Sequence, residues 1–431
     1  MKKFHVVNLG CKVNRVESDD FAATLISQGA SPSSAGDADL IIVNTCAVTG
    51  EAEKKTRKAI RQALRANASA CVIVTGCAAA LDANRYFSMD NRVQVVPKLA
   101  MHALLSEMVS SSPETQNISR ASGSTCIEIS NQAMDLSRQN ISSDSNYGMP
   151  NEEPMRVGDE FPTRVGIKVQ DGCNNACTFC IVHVARGPAW SRPSDQIISE
   201  AVRIARQGVK EIVLTGINLG SYLYEGTGLA DLLRCLLDAT DDVRFRLSSI
   251  EPCDIHDDLI KLMAASQGRI CRHLHLPLQS GSSKVLQEMA RPYCADQYCS
   301  LVEKLYAAMP RLSLSTDVIV GFPGESEEDY LATESLARAC RFSKMHIFRY
   351  SLREGTPAAQ RADQVSPAVK ADRAKRLEML ERQLASADLE RRAGTHEFAI
   401  VETGGVATTE SYHTVTAPRG AHVGDLVEVM L

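Results

Sequence analysis

Short apolar runs alternate with amphipathic stretches along the first part of the chain. The runs at 4–8, 40–44 and 71–75 have the length and composition of strands. Helical periodicity lies between them, with one helix expected over 51–64. Regular strand–helix alternation builds parallel βα units, so we predict a parallel α/β domain over residues 1–105.

A second and longer series of the same kind occupies residues 161–392. Six apolar runs in it predict strands, and helical periodicity lies between them. The alternation again predicts consecutive parallel βα units. The predicted strands are 165–169, 211–214, 245–249, 273–276, 314–320 and 345–350, and the predicted helices include 195–206, 229–237, 295–308 and 327–340.

The last part of the chain changes from helical to strand periodicity. Residues 366–392 place leucines on one side of a helix and arginines on the other. Short alternating runs follow at 396–402, 411–416 and 425–430, with glycines between them. We predict a small β-barrel domain over 393–431. The alternative is a β-extension that only caps the preceding domain.

A polar segment separates the two long series. Residues 111–150 contain ten serines, several Asn and Gln residues, and little apolar periodicity. This composition buries too little apolar surface to order itself, and long structureless loops are uncommon inside compact domains. We therefore predict a linker or insertion over 106–160.

Composition and charge narrow the class of protein. The 431 residues predict two or three domains. Fourteen cysteines with no secretory signal pattern and no long apolar span predict a cytoplasmic protein without disulfides or membrane segments. The net charge of −5 does not indicate nucleic-acid binding. Residues 341–395, however, are locally basic, with 12 Lys/Arg against 7 Asp/Glu. That stretch is either a nucleic-acid contact or a solvated helix face.

Three cysteines stand close together directly after the first strand of the second series. Cys173, Cys177 and Cys180, the second trio, have the spacing Cys-x3-Cys-x2-Cys, and Gly172 tolerates the backbone angles of a tight loop. Three thiolates can hold three irons of a four-iron, four-sulfur cluster and leave the fourth iron open for chemistry. A zinc site, which prefers paired Cys-x2-Cys units or histidines, and three structural thiols are the alternatives.

Three further cysteines are far apart in sequence but share one topological position. Cys11, Cys46 and Cys77, the first trio, each lie just past the carboxyl end of a predicted strand. Ligands of parallel α/β sheets gather at that edge, so the three side chains can converge on a second cluster. The alternative is that each cysteine only packs in the core.

The spacing of the second trio resembles the hallmark of the radical S-adenosylmethionine superfamily, and both trios together resemble its methylthiotransferase family. Family-like blocks also stand at 215–220, 248–252, 275–282, 316–325 and 350–358, so the resemblance covers nearly the whole chain. It implies an α/β fold class: an amino-terminal parallel α/β domain, a central open partial (β/α)6 barrel, and a small carboxyl-terminal, TRAM-like, RNA-binding β-barrel.

The resemblance also implies the cofactors and the chemistry. It implies two 4Fe-4S clusters, one on each trio, and S-adenosylmethionine. In the family the open iron binds S-adenosylmethionine, and one electron from the cluster cleaves it to give a 5'-deoxyadenosyl radical. Members of the family add a methylthio group to an unactivated carbon and use a second S-adenosylmethionine as methyl donor. The partners implied are tRNA and an electron donor such as a flavodoxin.

The residues after Cys11 indicate a branch of the family. Lys12, Val13 and Asn14 resemble the branch that modifies carbon 2 of threonylcarbamoyl-adenosine beside the tRNA anticodon. The alternatives are the same chemistry on isopentenyl-adenosine of tRNA or on a ribosomal protein side chain. A non-enzymatic iron-sulfur scaffold is the alternative from another class.

Residues at the ends of the predicted strands are candidate contacts of S-adenosylmethionine. Turn formation explains the glycines and the proline nearly as well, and Gln279 can also be a cap at the core edge, whereas a polar site contact is favoured for Glu251. The scattered histidines His183, His273 and His275 are not predicted as ligands. After Cys180 the chain departs from the family pattern, with His183 in a proline position and Trp190 in an arginine position. The candidate contacts are Gly216, Asn218, Glu251, Gln279, Gly321 and Pro323.

Overall fold

The computed structural model describes residues 3–47, 50–110 and 163–431. Contacts divide these residues into two compact units. The first holds the described residues up to 110 together with Val184–Arg186, and the second holds the others from 163 onward. No helix within the described residues is long and apolar enough to cross a membrane.

The first unit contains a five-stranded, fully parallel sheet in the order β2-β1-β3-β4-β5. The three predicted strands are confirmed as its central members, and β3 and β4 are buried along their whole length. A strand buried on both faces reads as a continuous apolar run. The strands are β1 Lys3–Asn8, β2 Ser31–Pro32, β3 Leu40–Thr45, β4 Cys71–Gly76 and β5 Val93–Val95, and the helices are Lys12–Ser27, Gly50–Ala66, Cys77–Leu81, Ala83–Phe87 and Lys98–Ser110.

The second unit contains six parallel strands whose spatial order follows the chain. Two ladders, β6-β9-β12 and β13-β14-β15, are joined by isolated parallel bridges from Phe245 to Ile270 and from Ser249 to His275. Within the described residues no ladder joins β6 to β15, so the predicted open (β/α)6 arrangement is confirmed. The strands are β6 Val165–Lys168, β9 Glu211–Thr215, β12 Arg244–Leu247, β13 His273–His275, β14 Ser313–Val320 and β15 Lys344–Arg349.

Helices alternate with these strands as predicted, and two short ribbons decorate them. Leucine and isoleucine side chains of the helices pack on the strands in one large core. The helices are Ser194–Arg206, Leu229–Ala239, Asp257–Ala265, Ser283–Glu288, Ala295–Ala308, Glu327–Cys340 and Pro367–Arg392, and the ribbon strands are β7 Gln170–Asp171, β8 Trp190–Ser191, β10 Leu223–Tyr224 and β11 Thr227–Gly228. The short helix Val182–Arg186 has its last three residues in the first unit.

The chain ends in a four-stranded antiparallel sheet. Its strands are β16 His396–Glu402, β17 Val406–Thr409, β18 Thr414–Thr416 and β19 Leu426–Met430, in the order β18-β17-β16-β19. The sequence analysis misses β17. Its strand over 411–416 is wrong in the first three residues, because Tyr412 has φ +72° in a turn closed by its N–H and the Thr409 carbonyl.

The predicted linker needs a correction at its start. Residues 106–110 complete the helix Lys98–Ser110 and belong to the first unit. Apolar side chains of this helix, including Met101 and Leu105, are fully buried against the parallel sheet, which explains why the helix continues. The rest of the predicted linker, 111–160, lies outside the described residues.

A buried ionic cluster joins the terminal sheet to the amino ends of the barrel strands. Glu211, the first residue of β9, accepts from Arg244 and Arg246 of β12 at 2.6 Å. The same arginines donate to backbone carbonyls of the terminal sheet, among them those of Phe398 and Glu410 at 2.7 Å. Burial opposes the charge of Glu211, but the two arginines hold its pKa at about 2. The cluster therefore fixes the sheet to the edge opposite the cysteines.

Replacement of Arg246 by Ala leaves Glu211 buried with one partner fewer. We expect the free energy of unfolding to fall by about 3–5 kcal/mol, because breaking a buried ion pair leaves an uncompensated charge. Urea denaturation followed by circular dichroism measures the change. Arg234→Ala, which removes an exposed arginine of helix Leu229–Ala239, is the control, and equal stability of the two variants would contradict this role of the cluster.

Candidate active site

The first trio lies at one edge of the first sheet. Cys11, Cys46 and Cys77 follow β1, β3 and β4, which are neighbours in the sheet. The strand register pairs the last residue of β1 with Asn44 and the last residue of β4 with Thr45. All three strands therefore end at the same level, as the sequence analysis expected.

Two glycines allow the loops of the first trio to touch. Gly10 lies so close to Cys46 that an added Cβ would come within 2.8 Å of the Cys46 Cβ and 3.0 Å of its sulfur. Gly76 has φ +99°, and a Cβ there would collide with the backbone of Thr45. A side chain at either position would push the cysteine loops apart.

Asn14 holds the same loops together. Its side chain is fully buried and its Nδ2 donates to the carbonyls of Leu9 at 3.1 Å and Thr45 at 2.8 Å. The Nδ2 of Asn44 donates in return to the Asn14 carbonyl at 2.9 Å. The residue that the sequence analysis used as a branch marker therefore has a structural task beside the first trio.

Arg186 is a residue of this site that the sequence analysis missed. It belongs to the first unit, and its side chain is 1% exposed. Its Nε donates to the Cys77 sulfur at 3.2 Å, its Nη2 to Asn14 Oδ1 at 2.8 Å and its Nη1 to Glu17 at 3.1 Å. The only sequence signal was a Glu17 that falls on the buried side of its helix.

The second trio lies in a loop that follows β6 and β7. Gly172 opens the loop with φ +70°, and a Cβ there would collide with the carbonyl of Pro188. The Cys173 N–H donates to the Gly187 carbonyl at 3.2 Å, and Asn174 Oδ1 accepts from the Ala189 N–H at 2.9 Å. The segment after the trio thus folds back and fixes the loop.

Each sulfur of the second trio accepts one N–H donor. Cys173 accepts from the backbone N–H of Asn175 and Cys180 from that of Val182, both at 3.4 Å, and Cys177 accepts from the Arg291 guanidinium at 3.1 Å. Burial raises the pKa of Cys180 to about 11 and also raises that of Cys173. These thiols give up their protons when a metal binds them.

Glu251 does not stand free at its strand end. Its carboxylate pairs with the guanidinium of Arg291, whose side chain is 2% exposed. Burial raises the pKa of Glu251, although Arg291 opposes the shift. The ion pair satisfies this carboxylate within the protein, and Arg291 is a second functional candidate that the sequence analysis does not name.

Gly216 and Asn218 pack around one glutamine. A Cβ on Gly216 would come within 2.8 Å of Gln170 Oε1, and the same oxygen accepts from the Asn218 N–H at 2.9 Å. Asn218 Nδ2 donates to Asp254 at 2.7 Å. Within the described residues its buried Oδ1 accepts no hydrogen bond, and neither do the buried hydroxyls of Thr215 and Ser248 at neighbouring strand ends. Three buried polar groups at this edge are thus left without a hydrogen bond among the described residues.

The other three candidate contacts have evident packing tasks. Gln279 has φ +65° and pairs through its backbone with β14. Gly321 has φ +72°, and a side chain there would collide with Lys370. Pro323 is buried beside Phe322. The structure brings these residues to the carboxyl edge. The positive φ angles of Gln279 and Gly321 show that each has a backbone role in a turn at this edge.

One group of titratable side chains lies on the open face of β13, β14 and β15. His275 Nε2 is 3.3 Å from Asp317 Oδ1, and His346 is paired with Asp317 in the strand register. Within the described residues this is the one group of three His, Cys, Asp or Glu side chains whose ligand atoms all lie within 4.8 Å of one another. Neither cysteine trio is that tight, which disfavours a single zinc ion on three thiolates.

The two residues that depart from the family pattern lie near the second trio. Trp190 is half-buried in the β7–β8 ribbon, opposite Asp171, with the Lys168 ammonium 5.7 Å from its ring centroid. His183 is half-buried, and within the described residues its Nδ1 makes no hydrogen bond. Trp190 is thus partly buried, with a lysine ammonium near its ring.

Comparison with known proteins covers both units. The family described as "Radical SAM superfamily" matches residues 167–337, and "Uncharacterized protein family UPF0004" matches residues 3–97. The solved radical S-adenosylmethionine methyltransferase TsrM from Kitasatospora setae is similar with a TM-score of 0.57 at 16% identity, over 83% of this chain and 77% of that chain. The fold and the cysteine loop define a radical SAM protein.

Relatives in sequence are methylthiotransferases. "Threonylcarbamoyladenosine tRNA methylthiotransferase MtaB" of Thermotoga maritima is 36% identical over 86% of this chain and 80% of its own, and that of Bacillus subtilis is 36% identical over 89% and 80%. "tRNA-2-methylthio-N(6)-dimethylallyladenosine synthase" of Sphingopyxis alaskensis is 34% identical over 100% and 95%. The chain belongs to the radical SAM methylthiotransferase family.

Cys177→Ala removes one ligand of the second trio. We expect the anaerobically reconstituted variant to hold roughly four irons per chain instead of eight, because the three cysteines of the first trio remain to hold the other predicted cluster. Iron and sulfide assays with EPR spectroscopy of the reduced protein measure this. Cys235→Ala, at an exposed cysteine outside both trios, is the control, and full iron content in Cys177→Ala would refute the assignment.

Proposed function

We propose that this protein is a radical SAM methylthiotransferase that modifies carbon 2 of threonylcarbamoyl-adenosine beside the tRNA anticodon. The observation that carries the proposal is the pair of cysteine trios, each at the carboxyl edge of its own parallel strands. The relatives named for threonylcarbamoyladenosine support the substrate. Family membership supports the enzyme class.

We propose a 4Fe-4S cluster on each trio, held by Cys11, Cys46 and Cys77 in the first unit and by the second trio in the other. The donor sets fit, because each offers three sulfurs and neither gathers them as tightly as a single metal ion requires. When bound, the second cluster supplies the electron that cleaves S-adenosylmethionine. The chain's own residues hold and orient the groups around it.

S-adenosylmethionine fits the polar atoms left unpaired beside the second trio. Asn218 Oδ1 can accept from its ammonium or ribose hydroxyls, and Thr215 and Ser248 offer hydroxyls at neighbouring strand ends. The absent side chain of Gly216 lets Gln170 pack against this strand end. Gln279, Gly321, Pro323 and Glu251 stay in the proposal as residues that shape this edge, with Glu251 acting through Arg291.

The open face of β13, β14 and β15 is the proposed place of the adenosine. Alternate residues of these strands, such as Leu274 and Val318, are buried in the core under the helices. Their neighbours Asp317 and His346 face the other side and are partly or fully exposed. A polar face at this edge can orient a modified base through hydrogen bonds.

The ion pairs and charges of residues 341–431 bear on where tRNA binds. Within the basic stretch, six cations pair with carboxylates, which supports the solvated-face alternative for much of it. Residues 393–431 contain one arginine and five acidic residues, so RNA binding by the terminal sheet remains a prediction and its contacts support the capping alternative. The paired cations are Lys344, Arg361, Arg373, Arg376, Arg391 and Arg392.

A flavodoxin-like electron donor and a cytoplasmic location complete the proposal. The reductive cleavage of a sulfonium needs an electron from a separate reductant, and small redox proteins are the class that supplies such electrons. tRNA resides where translation takes place. Isopentenyl-adenosine is the second candidate substrate, supported by the relative from Sphingopyxis alaskensis.

Nucleoside analysis of bulk tRNA separates the two substrates. We expect a strain that lacks this protein to lose the 2-methylthio form of threonylcarbamoyl-adenosine and to keep that of isopentenyl-adenosine. Liquid chromatography with mass spectrometry measures both. Loss of the isopentenyl product alone would establish the second candidate, and loss of neither would contradict tRNA as the substrate.

Asp317→Asn tests the proposed base-binding face. We expect kcat/KM for tRNA to fall about tenfold or more, because the amide cannot replace the charged acceptor. Cleavage of S-adenosylmethionine and the iron content should remain, since Asp317 is not a cluster ligand. Asp231→Asn, at an exposed carboxylate of a distant helix, is the control, and unchanged kinetics in Asp317→Asn would remove this face from the proposal.

A further inference from the structure

Arg291 is the one arginine or lysine within the described residues whose side chain donates to a sulfur of the second trio. Its Nη1 lies 3.1 Å from the Cys177 sulfur, and Cys177 is the most buried cysteine of the trio, at 6% exposure. The other two sulfurs accept from backbone N–H groups at 3.4 Å. The contact at Cys177 is therefore both the shortest and the only charged one.

The turn that carries Arg291 is bonded to the cysteine loop itself. Thr178, next to Cys177, donates its N–H to the Met289 carbonyl at 3.1 Å and its hydroxyl to the Glu288 carbonyl at 2.9 Å. Ala290 has φ +55°, and the Arg291 N–H returns to the Leu286 carbonyl at 2.9 Å. These bonds fix the distance between the guanidinium and the sulfur.

The guanidinium has no freedom to leave this position. Its Nη2 donates to Glu251, and its Nε donates to the Tyr293 hydroxyl at 3.1 Å. That hydroxyl donates onward to the Pro277 carbonyl at 2.6 Å. With each of its three nitrogens engaged and 2% of its side chain exposed, Arg291 is pre-organised toward Cys177.

A buried N–H donor stabilises the more negative form of an iron-sulfur cluster. Hydrogen bonds to cysteine sulfur and nearby net charge are among the factors that set the reduction potential. Solvent and salt screen this effect weakly at a buried site. Glu251 offsets part of the positive charge, so the two side chains act on the cluster with opposite signs.

We propose that Arg291 is a positioning residue that raises the reduction potential of the cluster on the second trio, and that the negative charge of Glu251 lowers this potential. This inference rests on the proposed function, because it requires a cluster at that trio. The first unit repeats the arrangement, where Arg186 donates to Cys77 and pairs with Glu17. Each trio thus has one buried arginine–glutamate pair on one of its sulfurs.

The test uses a parent variant with Cys11, Cys46 and Cys77 replaced by Ala, so that only the second cluster remains. Arg291→Gln, Arg291→Lys and Glu251→Gln are made in this background, and midpoint potentials are measured by EPR-monitored redox titration. We expect Arg291→Gln to lower the potential, Arg291→Lys to restore part of it, and Glu251→Gln to raise it. Arg234→Gln, an exposed arginine, should leave it unchanged.

The possible outcomes separate the inference from the function beneath it. A parent variant without iron would contradict the cluster assignment itself. An intact cluster with an unchanged potential in Arg291→Gln, or weaker binding of S-adenosylmethionine at an unchanged potential, would overturn the role of Arg291. If Arg291→Gln cannot hold iron, the opposite shifts in Arg291→Lys and Glu251→Gln decide, and shifts of the same sign would refute it.

Discussion

Neighbouring parallel strands end at the same edge of their sheet, and the first cysteine trio and the surroundings of the second trio depend on this constraint. In the first unit, β1, β3 and β4 bring three distant residues to one level without any local sequence motif. In the second unit the same edge carries the cysteine loop, the pair Glu251–Arg291 and the Asn218 oxygen that has no hydrogen bond among the described residues. The position of the chemistry follows from strand direction before any side chain is considered.

The sequence predicted those features that depend on local pattern. The three central strands of the first unit, the six barrel strands of the second unit and the placement of the cysteines at strand ends followed from periodicity, since a strand buried on both faces is an uninterrupted apolar run. Arg186 and Arg291 were not recognised, because each reaches its cysteine from a segment more than 100 residues away in sequence. The turn at Tyr412 was missed because a positive φ at a non-glycine residue has no pattern of its own.

Buried charge has two different tasks in the second unit. Glu211, Arg244 and Arg246 join the terminal sheet to the barrel strands, where removal of one member leaves the others uncompensated. Glu251 and Arg291 lie at the opposite edge and act on a sulfur atom. The ionic group around Glu211 stabilises the fold. The pair Glu251–Arg291 instead adjusts the electrostatic environment of the proposed cofactor.

The terminal sheet covers the amino ends of β9 and β12, where Arg244 and Arg246 donate to its carbonyl groups. Backbone carbonyls of the terminal sheet therefore cover the amino ends of these strands. A ligand of the cysteine loop therefore binds at the carboxyl edge of the strands, the edge that the terminal sheet leaves uncovered.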